Sequence, residues 1–127
     1  MLPKGVYEVK LERPLGIAFE EIEPGRGVKV DYVVEDSNAA EAGVIETGDI
    51  LLGVTAIKVI GAKFERRLIP ARTLDFDTIT SAIASNEPRW QRYNVVLQFM
   101  RPGVADDEEC MAYLKRIGIA KDSPWVQ

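Results

Sequence analysis

The sequence contains no histidine and a single cysteine, Cys110. The absence of histidine excludes Ser-His-Asp and Cys-His nucleophilic pairs, and it excludes zinc sites that need an imidazole ligand. One cysteine cannot form a disulfide within the chain. The acidic residues fall mostly in predicted turns and on solvent faces. We therefore identify no catalytic residue and no metal ligand, and we expect a non-catalytic protein without a cofactor.

The sequence also lacks a long apolar run. No segment approaches the roughly 20 apolar residues that span a bilayer, and residues 1–10 read as a strand without a signal-peptide core. The 127 residues suit one domain, and a net charge of −4 disfavours nucleic-acid binding. A basic cluster, Arg66, Arg67 and Arg72, lies mid-chain. Such a cluster is usually a solvated loop; the alternative is contact with anionic lipid headgroups or an acidic partner.

Three strands are predicted in the first part of the chain. Residues 5–12 mix β-branched, aromatic and polar residues, which is typical of a strand. The run Arg13-Pro14-Leu15-Gly16 interrupts it, and an extended segment resumes over residues 17–22. A third segment alternates apolar and polar residues, which predicts a half-buried strand whose apolar members are Val28, Val30, Tyr32 and Val34.

The middle of the chain predicts a short helix and a buried strand. Ser37 and its neighbours can cap a helix over residues 39–42, which Gly43 ends. The apolar run at residues 50–54 suits a buried strand. Residues 55–74 are less regular, and we interpret them as a short strand followed by an inserted loop.

A longer helix, a closing strand and a tail helix complete the prediction. Asp75 can cap a helix over residues 76–85, whose apolar stripe has helical spacing. Residues 93–100 predict the closing strand. Four acidic residues at 106–109 and a later basic pair match the dipole of a tail helix. Its predicted stripe is Met111, Leu114 and Ile117.

Three features in this order resemble the PDZ family. The first is Pro14-Leu15-Gly16-Ile17, which opens the second strand, and the third is the helix at residues 76–85 with its closing strand. Between them stands Ser37-x-Ala39-x-x-Ala42-Gly43-x-Ile45-x-x-Gly48-Asp49-Ile50-Leu51-Leu52. The resemblance implies an α+β fold: a partly open antiparallel β-barrel or sandwich of five to six strands with two helices. It assigns residues 5–102 to the PDZ-like domain and leaves residues 103–127 as a C-terminal helical extension.

The resemblance also implies a site for a peptide carboxylate. In the family, the backbone N–H groups matching Leu15, Gly16 and Ile17 bind it, and a basic residue, here Arg13 or Lys10, assists. The peptide adds as a strand beside residues 17–22, and an apolar pocket receives its last side chain. Phe76 would face the ligand residue two positions upstream, where histidine selects Ser or Thr in the family. The implied peptide-binding residues are Arg13, Leu15, Gly16, Ile17, Ala18, Phe19, Phe76, Thr80 and Ile83.

Several functions stay open at this point. The leading one is an adaptor that captures a peptide with an apolar C-terminal residue. Residues 7–16 and the segment around Gly48 also resemble PDZ segments of plant and algal thylakoid proteins, which implies photosystem assembly or scaffolding in a plastid, in the thylakoid or stroma. The alternative compartment is the cytoplasm. Two alternatives are the regulatory PDZ part of a serine protease and a structural subunit with a vestigial groove. A groove filled by residues 57–74 or by the tail would favour the structural subunit.

Overall fold

The computed structural model describes residues 2–86 and 94–118. Within these ranges the chain forms six strands and three helices. In chain order they are β1 (Val6–Leu11), β2 (Ile17–Glu21), β3 (Val28–Val33), α1 (Asn38–Ala42), β4 (Ile50–Ile60), β5 (Lys63–Pro70), α2 (Phe76–Ala84), β6 (Val95–Met100) and α3 (Asp107–Gly118). The closing strand starts at Val95, and the predicted start at Tyr93 lies outside the described residues. No helix in the described ranges is long and apolar enough to cross a membrane.

The six strands form one antiparallel sheet that does not close into a barrel. The strand order is β1-β6-β4-β3-β2, and β5 pairs with β4 beside this path. The strand β2 therefore stands at one end of the order, with a single strand partner, β3, among the described strands. The backbone groups on its other edge are open to a further strand. The predicted α+β architecture with five to six strands is confirmed.

The core lies between the sheet and α2. Val30, Leu51 and Phe99 are at most 1% exposed, and the helix contributes Ile79, which is fully buried. The ring of Phe99 stacks on the ring of Phe19 on β2, with 6.4 Å between the ring centroids. Such an aromatic pair typically contributes about 0.5 to 1.5 kcal/mol of stability beyond the burial of its surface, which is about the contribution of one hydrogen bond. This packing holds β2 and α2 on the same core, and the space between them becomes the candidate site.

The interpretation of residues 55–74 as a short strand plus a loop is wrong. The strand β4 continues to Ile60 and pairs with β5 along its length, from Gly53 opposite Pro70 to Ile60 opposite Lys63. Gly61, with φ of +61°, begins the two-residue turn between them. The arginines in this stretch obscured the second strand, because charged residues on one face of a hairpin resemble a solvated loop in a single sequence.

The basic cluster is consequently part of a strand and its end, not of a loop. Arg66 and Arg67 lie on β5, and Arg72 follows it. Arg66 donates a hydrogen bond to the carbonyl of Asn94, and Arg67 forms an ion pair with Glu65 at 3.6 Å. Arg72 Nη1 lies 3.3 Å from the sulfur of Met100. Each arginine thus has a partner within the chain.

The tail helix α3 packs through a face that includes Leu114 of the predicted stripe but not Met111. Cys110 and Leu114 are buried in a small second core with Leu52 and Met100, whereas Met111 is 43% exposed. The buried positions follow the 3.6-residue helical turn, which a strict threefold spacing misses. The side chain of Ile117 lies outside the described part. Cys110 is fully buried and serves as a core residue, and this burial raises the pKa of its thiol.

Candidate functional site

A groove of about 780 Å³ runs between β2 and α2. It brings together all nine residues implied by the resemblance and adds three others. Its lining comprises Arg13, Pro14, Leu15, Gly16, Ile17, Ala18, Phe19, Tyr32, Val34, Phe76, Thr80 and Ile83. No residue of the β4–β5 hairpin or of α3 is among these, so neither element fills the groove.

The loop between β1 and β2, residues 12–16, requires glycine at position 16. Its φ is +83°, a left-handed conformation that costs any other residue energy. A Cβ at this position would lie 2.1 Å from the Cβ and 2.3 Å from the Oγ of Ser37. Ser37 caps α1, where its Oγ accepts a hydrogen bond from the N–H of Ala40 at 3.1 Å. The backbone of the loop at Gly16 therefore packs directly against the side chain of Ser37 at the start of α1, and only glycine fits at this position.

Three successive carbonyls of the loop turn toward α1 and β3. The carbonyl of Pro14 accepts from Asn38 Nδ2 at 3.1 Å, and the carbonyl of Leu15 accepts from the N–H of Ala39 at 2.9 Å. The carbonyl of Gly16 accepts from the N–H of Val34 at 2.8 Å.

This arrangement determines the direction of the next three N–H groups. In a trans peptide unit the N–H points opposite to the C=O. The N–H groups of Leu15, Gly16 and Ile17 share peptide units with the three bound carbonyls, so they point away from α1 and β3, toward the groove. Successive N–H groups turned in one direction form a concavity that binds an anion.

Arg13 is the cation at this end of the groove. Its Nη1 lies 3.5 Å from the carbonyl of Asn86, a long contact that joins the loop to the end of α2. Lys10, the other candidate, is exposed and does not line the groove. The structure therefore favours Arg13 over Lys10 as the basic residue beside the loop.

The helix α2 forms the opposite wall of the groove. Asp75 caps it by accepting a hydrogen bond from the N–H of Thr78 at 2.8 Å, and hydrogen bonding to Thr78 lowers the pKa of Asp75. From this start, Phe76, Thr80 and Ile83 line the groove. Asp77 and Ala84 do not line the groove.

Two polar contacts fix the ends of this wall. At the first turn, the N–H of Phe76 donates to Glu21 Oε1 at 2.7 Å, which joins α2 to β2. At the last turn, buried Asn86 donates through Nδ2 to the carbonyls of Thr55 and Ala82, at 2.7 and 3.0 Å. Asn86 is not among the site residues implied by the sequence, because its partner Thr55 is distant in sequence.

The groove contains two apolar residues that sequence reasoning placed elsewhere. Tyr32 and Val34 were predicted on the buried face of β3 with Val28 and Val30, but they are 56% and 45% exposed. The register shifts so that Ala18 opposes Tyr32 while Phe19 opposes Val30. Asp31 is left without a partner on β2 and forms a β-bulge. Because of this extra residue, the side chains after it point to the opposite face of the sheet from the one that simple alternation predicts. The pairing that creates a bulge cannot be read from one strand.

The described residues contain no group of three or more Asp, Glu or Cys side chains that could hold a metal ion. The groove itself is lined mainly by apolar side chains, with Arg13 as its charged residue. Its chemistry is thus a set of backbone donors at one end and an apolar channel beside a free strand edge. These features suit binding of an extended chain segment.

Comparison with solved structures identifies the architecture. The second PDZ domain of Dlg1 from the choanoflagellate Monosiga brevicollis superposes with a TM-score of 0.55, over 76% of this chain and 99% of that domain, at 17% identity. The chain has a PDZ-like fold. A second crystal form of the same PDZ domain gives a TM-score of 0.49, over 86% of this chain and 99% of that domain, at 15% identity. No protein-family model and no curated protein matches the chain. The PDZ resemblance inferred from the sequence motifs is confirmed at the level of fold.

Proposed function

We propose that this PDZ-like chain is a non-catalytic adaptor that binds an extended peptide by its C-terminal carboxylate. The observation that carries the proposal is that the carbonyls of Pro14, Leu15 and Gly16 are bound on the side away from the groove, which leaves the N–H groups of Leu15, Gly16 and Ile17 directed into it. Three such donors can offset the desolvation of a carboxylate. Arg13 adds a positive charge beside them. The free edge of β2 begins at the same loop, so a peptide bound there continues as an added strand.

Strand addition is supported by the hydrogen bonds at the start of β2. The carbonyl of Gly16 already accepts from the N–H of Val34, the residue that follows β3. Because backbone groups alternate between the two edges of an antiparallel strand, those of Ile17 face the groove. A peptide that enters with its carboxylate at the loop runs antiparallel to β2, with its last residue beside Ile17.

The groove's side chains favour an apolar last residue. Leu15, Ile17, Phe19 and Ile83 belong to or pack against the main hydrophobic core, and they surround the position beside the loop. A charged side chain there would lose its hydration without a partner. Farther along, Phe76 would contact the ligand two residues upstream, so an apolar residue is favoured at that position too.

The decisive experiment measures binding of the chain to peptides with free and amidated C-termini of otherwise identical sequence. We expect apolar-ended peptides to bind only with the free carboxylate, because amidation removes the charge that the loop donors stabilise. Peptides ending in Asp or Lys are the control for the apolar pocket. Binding that is indifferent to amidation would contradict the carboxylate mechanism and favour recognition of internal segments.

The variant Phe76→His should change the preference at the second upstream ligand position from apolar residues to Ser or Thr. An imidazole can exchange a hydrogen bond with a hydroxyl, whereas the phenyl ring offers only apolar contact. Phe76 is 38% exposed, so the core does not depend on its ring. Affinities for peptide pairs that differ at this position measure the change, with Met111→His as a control on α3. Unchanged preference would show that this helix position does not contact the ligand.

The finer context follows from sequence resemblance alone. The similarity to thylakoid PDZ segments favours photosystem assembly or scaffolding in a plastid, and the PDZ part of a serine protease remains the alternative.

We also propose that residues 5–102 form the binding domain and that residues 103–127 form its helical extension. Burial of Cys110 and Leu114 against Leu52 supports an extension that packs on the domain. Contact of Arg66, Arg67 and Arg72 with a membrane or membrane protein stays a prediction.

A further inference from the structure

The strand β2 is longer than the part of it that lines the groove. It runs from Ile17 to Glu21, whereas the β2 residues that line the groove end at Phe19. On the opposite wall the lining begins at Phe76, the first residue of α2. The upstream end of the groove therefore lies near Phe19 and Phe76, and the last two residues of β2 lie beyond it.

The side chain of Glu21 crosses this end of the groove. Alternate residues of a strand share one face, so Glu21 lies on the face of Ile17 and Phe19, both of which pack against the core. Glu21 is half-buried, and its Oε1 accepts a hydrogen bond from the N–H of Phe76 at 2.7 Å. The first N–H groups of a helix have no partner within the helix, and a carboxylate is a favourable partner for them. The bond thus joins the two walls where the lining stops.

The backbone of Glu21 faces the open edge of β2. The next residue, Ile22, donates its N–H to the carbonyl of Gly27 at 3.0 Å, toward β3. Because backbone groups alternate between the two edges of an antiparallel strand, those of Ile17, Phe19 and Glu21 face the open edge. The edge therefore offers three pairing positions to a ligand strand, and the third is the one that the side chain of Glu21 crosses.

The ligand residue at the third position follows from the proposed function, on which this inference rests. A last residue beside Ile17 places the second upstream residue beside Phe19 and the fourth upstream residue beside Glu21. The side chain of that fourth upstream residue points to the same face as those of the other two. On this face the carboxylate of Glu21 meets the N–H of Phe76. The ligand residue and the Glu21–Phe76 bond therefore compete for one space.

We propose that Glu21 determines how many ligand residues the groove pairs, because its bond to Phe76 closes the upstream end and limits strand addition to the last four residues. The third pairing position on β2 opens only when the carboxylate leaves Phe76. One hydrogen bond corresponds to about a 2- to 12-fold change in affinity. The bond that a longer ligand gains at Glu21 is offset by the bond that it breaks there.

The test uses two free-carboxylate peptides of seven residues that end in Val, with Leu two positions and Ala four positions upstream. They differ by one N-methyl group on the backbone nitrogen of this Ala, which removes the N–H that would donate to the carbonyl of Glu21. Titration calorimetry should give a ratio of affinities near one for the wild-type chain. In Glu21→Ala the unmethylated peptide should bind about 2- to 12-fold more tightly than the methylated one.

Two further variants separate the hydrogen bond from the charge. Glu20→Ala removes the same charge from the neighbouring residue, which is exposed and points to the other face of β2. Glu21→Gln removes the charge at the same position but keeps an oxygen that accepts from the N–H of Phe76. Both variants should retain the wild-type ratio.

The outcomes distinguish this inference from the function on which it rests. If the wild-type chain already discriminates between the peptides, or if Glu21→Ala does not, closure by Glu21 is wrong while the carboxylate mechanism stands. Equal ratios in Glu21→Gln and Glu21→Ala would show that the charge acts and not the bond to Phe76, which also overturns the proposal. Failure of every free-carboxylate peptide to bind overturns the proposed function itself.

Discussion

The variant Gly16→Ala is expected to lower the free energy of unfolding by about 3 kcal/mol and to abolish peptide binding. A left-handed residue other than glycine costs roughly 1–2 kcal/mol, and forcing atoms into a packed site costs roughly 1–3 kcal/mol more. Both costs apply here, because φ is +83° and the new Cβ would lie 2.1 Å from the Cβ of Ser37. Relief requires the loop to move away from α1, which also turns the three N–H groups.

Two controls divide this loss into its parts. Gly25 has a φ of +71° and open space around its position, so Gly25→Ala measures the conformational cost alone. The double variant Gly16→Ala with Ser37→Gly removes the obstructing side chain and should recover most of the steric part, since glycine is tolerated as a helix cap. Denaturant unfolding gives the free energies. Equal losses for Gly16→Ala and Gly25→Ala would contradict the close packing against Ser37.

The parts of the fold that the sequence predicted are those with local signals. Ser37 before α1, Gly43 after it and Asp75 before α2 are capping residues whose partners lie within one helical turn. The helical spacing of Phe76 and Ile83 predicted that they lie on one face of α2, and both line the groove. These local signals predicted α1 and α2, and α2 forms one wall of the groove.

The parts that were missed depend on pairing between distant segments. The bulge at Asp31 exists only because β2 pairs with β3 in a shifted register, and the shift brings Tyr32 to the surface. The strand β5 is recognisable only beside β4, since its arginines hide the alternation. Asn86 bonds to Thr55, which lies 31 residues earlier. In each case the deciding partner is remote in sequence.

Asp49 is a buried charge whose pairing holds three strands together, and neither Asp49 nor the two residues bonded to it, Tyr7 and Arg101, lines the groove. The residue is 1% exposed and precedes β4. Arg101, which follows β6, donates to both carboxylate oxygens at 3.0 and 3.2 Å, and Tyr7 on β1 donates its hydroxyl to one of them. Burial and the bond to Asp49 raise the pKa of Tyr7, and the hydrogen bond to Asp49 raises the pKa of Arg101.

Removing the guanidinium in Arg101→Ala should cost about 3 kcal/mol, because it leaves a buried carboxylate without its counter-charge. Arg101→Lys keeps the charge but cannot bond both oxygens, so its loss should be intermediate. Arg26→Ala is the matched control: Arg26 pairs with Glu23 at 3.5 Å on a side chain that is 76% exposed, and such pairs contribute less than about 1 kcal/mol.

The effects of Arg101→Ala and Gly16→Ala are distinguished by measuring the peptide affinity of the molecules that remain folded. Arg101 does not line the groove, so Arg101→Ala should lower the unfolding free energy while the molecules that remain folded bind peptide with wild-type affinity. Gly16→Ala should reduce both quantities, since the same glycine shapes the loop donors. If Arg101→Ala destabilises no more than Arg26→Ala, the Asp49 carboxylate does not depend on this pairing. If it weakens binding as strongly as Gly16→Ala, the groove and the Asp49 cluster are coupled.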